Sequence, residues 1–509
     1  MRDFLQQRLE LSDRPGARVI CEQMIAARLE DVYPYRILIS LAMDDKRPDE
    51  ALFQVERALR ELGERAELVV LRGTLRRARG EEDAAIADFK HSLELEPSAE
   101  VHNDLGNMMR RRGLKEEAET HYRAAIALNP KLSDALNGMG ILRKEARDLE
   151  GAVAYYKAAV DADPNNPFAH NNLAIARQDE GRLDASLALF DRAVEVRPDY
   201  VPARFHRALL LLLLGLWKEG FAEYQWRWRM PNIRSPHISG SWWDGSPLDG
   251  RTILFHGEQG MGDVLQFVRY AALLREAGGR VVVEAPRNLL RLLSTVPGVD
   301  QLVAKGDPAP AFDVQMPMMS LPLVMGWEPH TLPPFAPYLT PEPGLVEKWK
   351  ARLPPGKRIG LTWQGNPDYR ADHHRSPALT AFLPVLRTPG VSFVSLQKGP
   401  GVEQLADLPP DVRVMDLSTE IDTGPDAFLD TAALMTCLDL LIVSDSAPLH
   451  LAGALGCPAL VPLPHVPDWR FLTGPGEDCV WYPSLRLFRQ DRPGAWQGVF
   501  ERIAREIAP

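Results

Sequence analysis

At 509 residues the chain exceeds what one ordinary core holds, and about two to four domains are expected. Its 45% hydrophobic and 25% charged content is that of a globular protein, and a net charge of −10 with a pI near 5.7 supplies no basic field for nucleic acid. Cys21, Cys437, Cys457 and Cys479 stand at no metal-ligand or redox spacing, so a reduced, cytoplasmic setting is expected. Met1-Arg2-Asp3-Phe4 is polar where a signal peptide needs an apolar core. The longest apolar run, Ala208 to Leu216, is too short to span a bilayer and reads as a buried repeat helix.

The first half repeats. Pro97, Pro130, Pro164 and Pro198 fall 33, 34 and 34 residues apart, each closing a helical pattern. A period near 34 with helix–turn–helix character predicts tetratricopeptide repeats over 1–232, each burying its apolar face by stacking on its neighbours. Leu105-Gly106, Ala118, Tyr122 and Ala125 recur as Met139-Gly140, Ala152, Tyr156 and Ala159, then as Leu173-Ala174, Phe190 and Ala193. The small residue lets two helices approach, the aromatic fills the gap between units, and the proline stops the second helix. Earlier units keep the phase through Gly73, Ala85 and Phe89, and Ala17 marks an atypical starting cap. The last unit ends in Phe221-Ala222-Glu223-Tyr224-Gln225-Trp226-Arg227-Trp228-Arg229, more large side chains than a cap needs, and reads as an interface with the next domain or else as plain repeat core.

After a connector over 233–250, short apolar runs alternate with amphipathic stretches, the pattern of α/β units with parallel sheet. Strands are expected at Thr252–Phe255, Arg280–Glu284, Gln301–Val303 and Phe312–Gln315, then at Arg358–Trp363, Val391–Leu396, Val412–Met415, Leu438–Ser444 and Pro458–Val461. A Pro-rich crossing separates the two sets, so two Rossmann-like lobes are expected, over 251–340 and 341–485, with a C-terminal helix over 486–509. Ligands of such sheets sit beyond the carboxyl ends of the strands.

Three clusters stand at such ends. His256-Gly257-Glu258-Gln259-Gly260-Met261-Gly262-Asp263 joins the first strand to a helix; Gly260 and Gly262 allow close backbone approach, and Asp263 is either a site carboxylate or an ordinary cap. It departs from the dinucleotide fingerprint, so NAD is not implied. Trp363-Gln364-Gly365-Asn366 precedes Asp372-His373-His374-Arg375, where Arg375 is a planar donor suited to an anionic leaving group. Adjacent His373 and His374 lack a surrounding ligand set, and no metal is expected. In Ser444-Asp445-Ser446-Ala447-Pro448-Leu449-His450 a strand runs into a helix start that can hold phosphate, or into a well-capped helix that binds nothing. His450 reads equally as a structural histidine, and Lys398 as a phosphate ligand or a surface lysine.

Gly260-Met261-Gly262-Asp263, Trp363-Gln364-Gly365, Asp445-Ser446 with His450-Leu451-Ala452-Gly453, and the tail Asp468-Trp469-Arg470, Trp481-Tyr482-Pro483 and Leu487-Phe488-Arg489-Gln490 resemble heptosyltransferase-like glycosyltransferases. The whole layout resembles bacterial proteins that join tetratricopeptide repeats to such a domain, flagellin glycosyltransferases among them, and is similar in plan to repeat-bearing O-GlcNAc transferases. The resemblance implies a GT-B fold, with the first lobe on the acceptor side and the second on the nucleotide-sugar side. It also implies metal-independent, inverting transfer with no cofactor beyond the nucleotide-sugar donor. By position Asp263 matches the general base. Gly260, Gly262, Gln364, Gly365, Arg375, Lys398, Asp445, Ser446, Ala447 and His450 are the donor-side candidates; Arg375 falls where heptosyltransferases usually carry a lysine. The implied activity is protein O-glycosylation of Ser or Thr, with flagellin as the suspected acceptor held by the repeats and a CMP-linked nonulosonic acid as one donor. Two other readings stay open: transfer to a lipid-linked or lipopolysaccharide acceptor, and a repeat scaffold with an inactive α/β half.

Overall fold

The computed structural model describes all residues except 28–30, 232, 234–237, 334, 370 and 509. Among the described residues fourteen helices come first: α1 Arg2–Glu10, α2 Arg14–Ala26, α3 Tyr33–Asp44, α4 Pro48–Leu62, α5 Ala66–Ala78, α6 Glu82–Leu95, α7 Ala99–Arg111, α8 Lys115–Leu128, α9 Ser133–Glu145, α10 Leu149–Ala162, α11 Pro167–Asp179, α12 Leu183–Val196, α13 Val201–Leu213 and α14 Trp217–Tyr224. The four periodic prolines each lie two residues past the end of α6, α8, α10 and α12. There the missing N–H and the fixed φ forbid another helical turn. The Tyr122 ring fills the gap that the repeat pattern predicts. A Cβ at Gly106, in its own unit, would stand 2.7 Å from it, and one at Gly138, in the next, 2.5 Å. Tyr156 sits against Gly140 in the same way.

The chain divides into two compact units, Met1–Ala176 and Arg177–Pro509, so α12 to α14 fall in the same unit as the α/β part. Within that second unit the strands are β1 Ser241–Trp242, β2 Thr252–His256, β3 Arg280–Ala285, β4 Gln301–Ala304, β5 Val314–Pro317, β6 Lys357–Thr362, β7 Val391–Ser395, β8 Val414–Asp416, β9 Leu440–Val443, β10 Ala459–Leu463 and β11 Leu485–Arg489. They form two sheets, a five-stranded one in the order β1-β5-β2-β3-β4 and a six-stranded one in the order β11-β10-β9-β6-β7-β8, and every pairing within them is parallel. Strands of this kind are covered on both faces, which is why they read as continuous Val/Ile/Leu runs. Ile253, Leu254 and Phe255 of β2 are all buried, as are Leu441, Ile442 and Val443 of β9.

Two expectations need correction. The connector over 233–250 supplies β1, whose Ser241 and Trp242 pair with Val314 and Gln315 of the sheet edge. The segment 486–509 is not helical throughout: Leu485–Arg489 is the edge strand β11, and the helix runs only from Trp496 to Ile507. Alternation explains the second correction. Leu485, Leu487 and Phe488 face inward while Arg486 and Arg489 are only partly covered, and five residues of such a pattern close to a true amphipathic helix are easily absorbed into it.

The aromatic end of the repeats makes the interface that its composition predicts. Trp217 stacks on Trp481 with ring centroids 5.0 Å apart, and Phe221 meets Trp469 edge-on at 5.6 Å. Arg227 Nε and Nη2 donate to the two Glu258 oxygens at 2.8 and 3.0 Å, with both side chains buried. Tyr224 Oη accepts from Gln259 Nε2 at 2.8 Å. These contacts fix the turn after β2, which carries Gly260 to Asp263.

Candidate functional site

Between the two sheets, at the carboxyl ends of their strands, lies a cavity of about 880 Å³. Asp263, Gly260, Gly262, Gln364, Gly365, Arg375, Lys398, Asp445, Ser446, Ala447 and His450 all line it. Residues as distant in sequence as Gly260 and His450 thus meet at one surface, as the sheet topology requires.

The first wall is the turn after β2 and the helix Met261–Phe267. Asp263 is the third residue of that helix, and its Oδ2 accepts the Gly260 N–H at 2.8 Å, closing one of the amides left open at a helix start. Its Oδ1 is bound by Arg470 Nη2. The carboxylate is therefore both a cap and a cavity group, and 19% of its side-chain surface stays accessible. Gly262 is demanded by packing: a Cβ there would stand 2.9 Å from the His450 ring and 3.4 Å from Ala447 Cα. The helices Met261–Phe267 and Ala447–Leu455 can approach only because that side chain is missing.

The second wall follows β6. Gln397, buried beyond β7, accepts the Trp363 and Gln364 N–H groups at 3.1 and 3.2 Å and donates to the carbonyls of Gln364 and Pro400 at 3.0 and 2.8 Å. That one amide sets the turn. Gly365 leaves room for Asp372 and Arg375, since a Cβ would stand 2.5 Å from Asp372 Oδ1 and 2.9 Å from Arg375 Nη2. Arg375 Nε donates to Asp372 Oδ1 at 3.1 Å, and its guanidinium lies 4.7 Å from the centre of the Tyr369 ring. Lys398 Nζ donates to the Ile421 carbonyl at 2.5 Å rather than to a carboxylate, so its charge is not neutralised by that contact. The rings of His373 and His374 lie 3.9 Å apart. Among the described residues no group of three or more His, Cys, Asp or Glu is placed to hold a metal ion.

The third wall is the start of the helix Ala447–Leu455, whose N-cap is Ser446 and whose second residue is Pro448. Ser446 Oγ donates to the Ser444 carbonyl at 3.3 Å and so does not cap the helix, while Pro448 has no N–H to offer and the Leu449 N–H donates to the Ser446 carbonyl at 3.0 Å. His450 Nδ1 lies 3.2 Å from Tyr482 Oη, and burial holds the imidazole neutral, well below its ordinary pKa. The structural reading of His450 and the cavity reading hold together. Asp445 is buried, and its pKa is pushed up to about 7, first by loss of hydration and then by the nearby Asp468 charge, against the pull of Arg375 and Arg470. A cavity carboxyl in this condition readily accepts hydrogen bonds from a polar ligand.

That shift has a stability consequence. The unfolded chain releases the Asp445 proton near 3.8 while the folded chain keeps it to about 7, so folding weakens as pH rises through that window. Asp445→Asn removes the effect. The variant is expected to gain about 2–4 kcal/mol on the wild type between pH 4 and pH 8, read by urea denaturation at both pH values.

Arg470 is a cavity residue to which the motif Asp468-Trp469-Arg470 had given no role. It is 8% exposed and lines the cavity. Its Nε donates to Gln266 Oε1 at 2.7 Å and its Nη1 to Asp468 Oδ1 at 2.9 Å, while Nη2 binds Asp263. Asp468 and Asp263 outweigh burial and raise its pKa. Asn288, Tyr369, Asp422, Phe428 and Thr431 also line the cavity. Tyr369 and Asp422 lie in turns, Asn288 in the single-turn helix Arg287–Leu289, and Phe428 and Thr431 at the start of the helix Leu429–Thr436, and none of them stands in a motif of the sequence.

The tetratricopeptide repeat family matches residues 143–212, 70–133 and 103–167. Protein FlbA of Caulobacter vibrioides is 29% identical over 343 residues, covering 60% of this chain and 55% of its own length. The chain thus spans about half the length of the curated relative it matches. Among solved structures, MamA is 22% identical and covers 31% of this chain and 92% of its own, with a TM-score of 0.27. PilF of Pseudomonas aeruginosa is 16% identical and covers 38% and 88%, with a TM-score of 0.34. YrrB, described as a TPR protein with an unusual peptide-binding site, is 19% identical and covers 37% and 98%, with a TM-score of 0.29. No helix of the described residues is long and apolar enough to cross a membrane. The chain carries tetratricopeptide repeats, a scaffold for binding other proteins, followed by an α/β region of parallel sheets.

Proposed function

We propose that the chain is an inverting, metal-independent protein O-glycosyltransferase of GT-B plan, moving a sugar from a nucleotide-sugar donor to Ser or Thr of a protein held by the repeats. The observation that carries this reading is the convergence of all eleven candidate residues on one cavity between two parallel sheets, with the Asp263 carboxylate on one wall and the cations Arg375 and Lys398 on another. A direct displacement needs those parts. The acceptor oxygen attacks the anomeric carbon as its proton passes to Asp263, and the bond from that carbon to the donor phosphate oxygen breaks on the opposite side. Arg375, Lys398 and the positive end of the helix Ala447–Leu455 offset the charge left on the phosphate. Asp445 accepts hydrogen bonds from donor hydroxyls. The resemblance offers flagellin as acceptor and a CMP-linked nonulosonic acid as donor, and the reaction would run in the cytoplasm, where nucleotide sugars are made.

The full-length protein is to be incubated with flagellin and a CMP-linked nonulosonic acid and the flagellin weighed intact by mass spectrometry. A gain of one or more sugar residues is expected. Unchanged flagellin, together with no thermal stabilisation of the protein across a nucleotide-sugar panel, sinks the proposal.

A further inference from the structure

We infer that Arg470 is the positioning residue of the Asp263 carboxylate and that Trp217, in the last repeat helix, seats Arg470, so that the final repeat is part of the catalytic machinery; the inference rests on the transferase reading above. The guanidinium uses three of its arms on three different acceptors. Two of them, Asp263 and Gln266, stand three residues apart on the helix Met261–Phe267, so one planar fork fixes both the reach and the rotation of that helix. The third, Asp468, lies on Arg470's own turn and holds the fork in orientation. A point charge on a flexible stem has no such geometry.

What holds Arg470 comes from the repeats. The Trp217 ring stacks on Trp481 and meets Trp469 edge-on at 6.5 Å. Trp469 carries the Arg470 guanidinium at 4.5 Å from its ring centre, and Trp481 Nε1 donates to the Arg470 carbonyl at 2.9 Å. The Thr473 N–H, three residues further on, donates to the Leu213 carbonyl at the end of α13 at 3.1 Å. Backbone and both aromatic neighbours of Arg470 therefore rest on α13 and α14. A ring lost at Trp217 leaves a void behind Trp469 and Trp481, the two rings that hold Arg470. Catalysis is sensitive to that kind of shift, because misplacement by about 1 Å costs on the order of a hundredfold in rate.

The test is steady-state transfer from a CMP-linked nonulosonic acid to flagellin by the full-length wild type, Arg470→Ala, Arg470→Lys and Trp217→Leu, with a crystal structure of each variant. In both Arg470 variants kcat is expected to fall about 100-fold with the donor KM within about threefold, and in Trp217→Leu about tenfold with the same split. Added guanidinium is expected to restore Arg470→Ala in part and to leave Asp263→Asn unchanged. A kcat within threefold of wild type in Arg470→Ala, or a loss confined to KM, overturns the inference. Should an Arg470 variant not fold, Trp217→Leu decides by the same split. If the wild type itself transfers nothing, the transferase reading fails, and the positional claim is judged from the crystal structures: Asp263 unmoved in Arg470→Ala and Trp217→Leu overturns it, Asp263 displaced upholds it.

Discussion

Asp263→Asn is expected to lower the rate of sugar transfer by about 10³-fold while donor and acceptor binding change by less than about threefold. The substitution keeps the shape of the side chain and removes its capacity to take a proton. It is not silent structurally. The wild-type carboxylate accepts from the Gly260 N–H with one oxygen and from Arg470 with the other, and an amide has a single acceptor oxygen for the two donors. One of them loses its partner, at a cost of about 1–3 kcal/mol. A modest drop in melting temperature is thus part of the expected result. The measurement is single-turnover transfer alongside donor binding by calorimetry. Transfer within tenfold of wild type would assign the proton to another acceptor, and Asp445, buried on the facing wall, is the next carboxyl to test.

Much of the architecture was legible because it is built from local rules. The four prolines gave the repeat period, since each stops a helix by its own covalent structure, and the Gly/Tyr offsets gave the packing between units. Strands β2 to β4, β6, β7, β9 and β10 were legible as apolar runs because both faces of each sheet are covered, while β5 and β8 were each expected to start two residues early. β1 was not, because two residues at a sheet edge have no periodicity to show. All eleven site candidates reached one cavity because each lies in the turn or helix that follows a strand's carboxyl end, and in parallel sheets those ends lie on one side. Arg470 escaped for the opposite reason. Its partner Asp263 lies 207 positions away, and nothing local to Asp468-Trp469-Arg470 says what the guanidinium meets. The grouping of α12 to α14 with the α/β half was hidden too, because those helices keep the repeat pattern of the others; only the aromatic run from Phe221 to Arg229 pointed to it.

The pair Arg227 and Glu258 gives the largest stability effect. Both side chains are buried, at 0% and 1% exposure, and the guanidinium also donates to Ser320 Oγ at 2.6 Å and to the Tyr224 carbonyl at 3.2 Å. Burial outweighs the guanidinium and leaves the Glu258 carboxyl above its ordinary pKa, the sign of an ion pair whose attraction does not fully repay lost hydration. Removing one partner leaves the other charge stranded. Glu258→Ala is expected to destabilise the second unit by about 3–5 kcal/mol, read by urea denaturation of the full-length protein. Removing both is a different matter. Arg227→Met with Glu258→Leu replaces the pair by apolar volume and is expected to recover most of that loss, so the double-mutant cycle should show strong coupling. If the double variant falls by the sum of the singles, the two side chains act independently. The end of the repeats is then joined to the turn carrying Asp263 by its aromatic contacts and not by this ion pair.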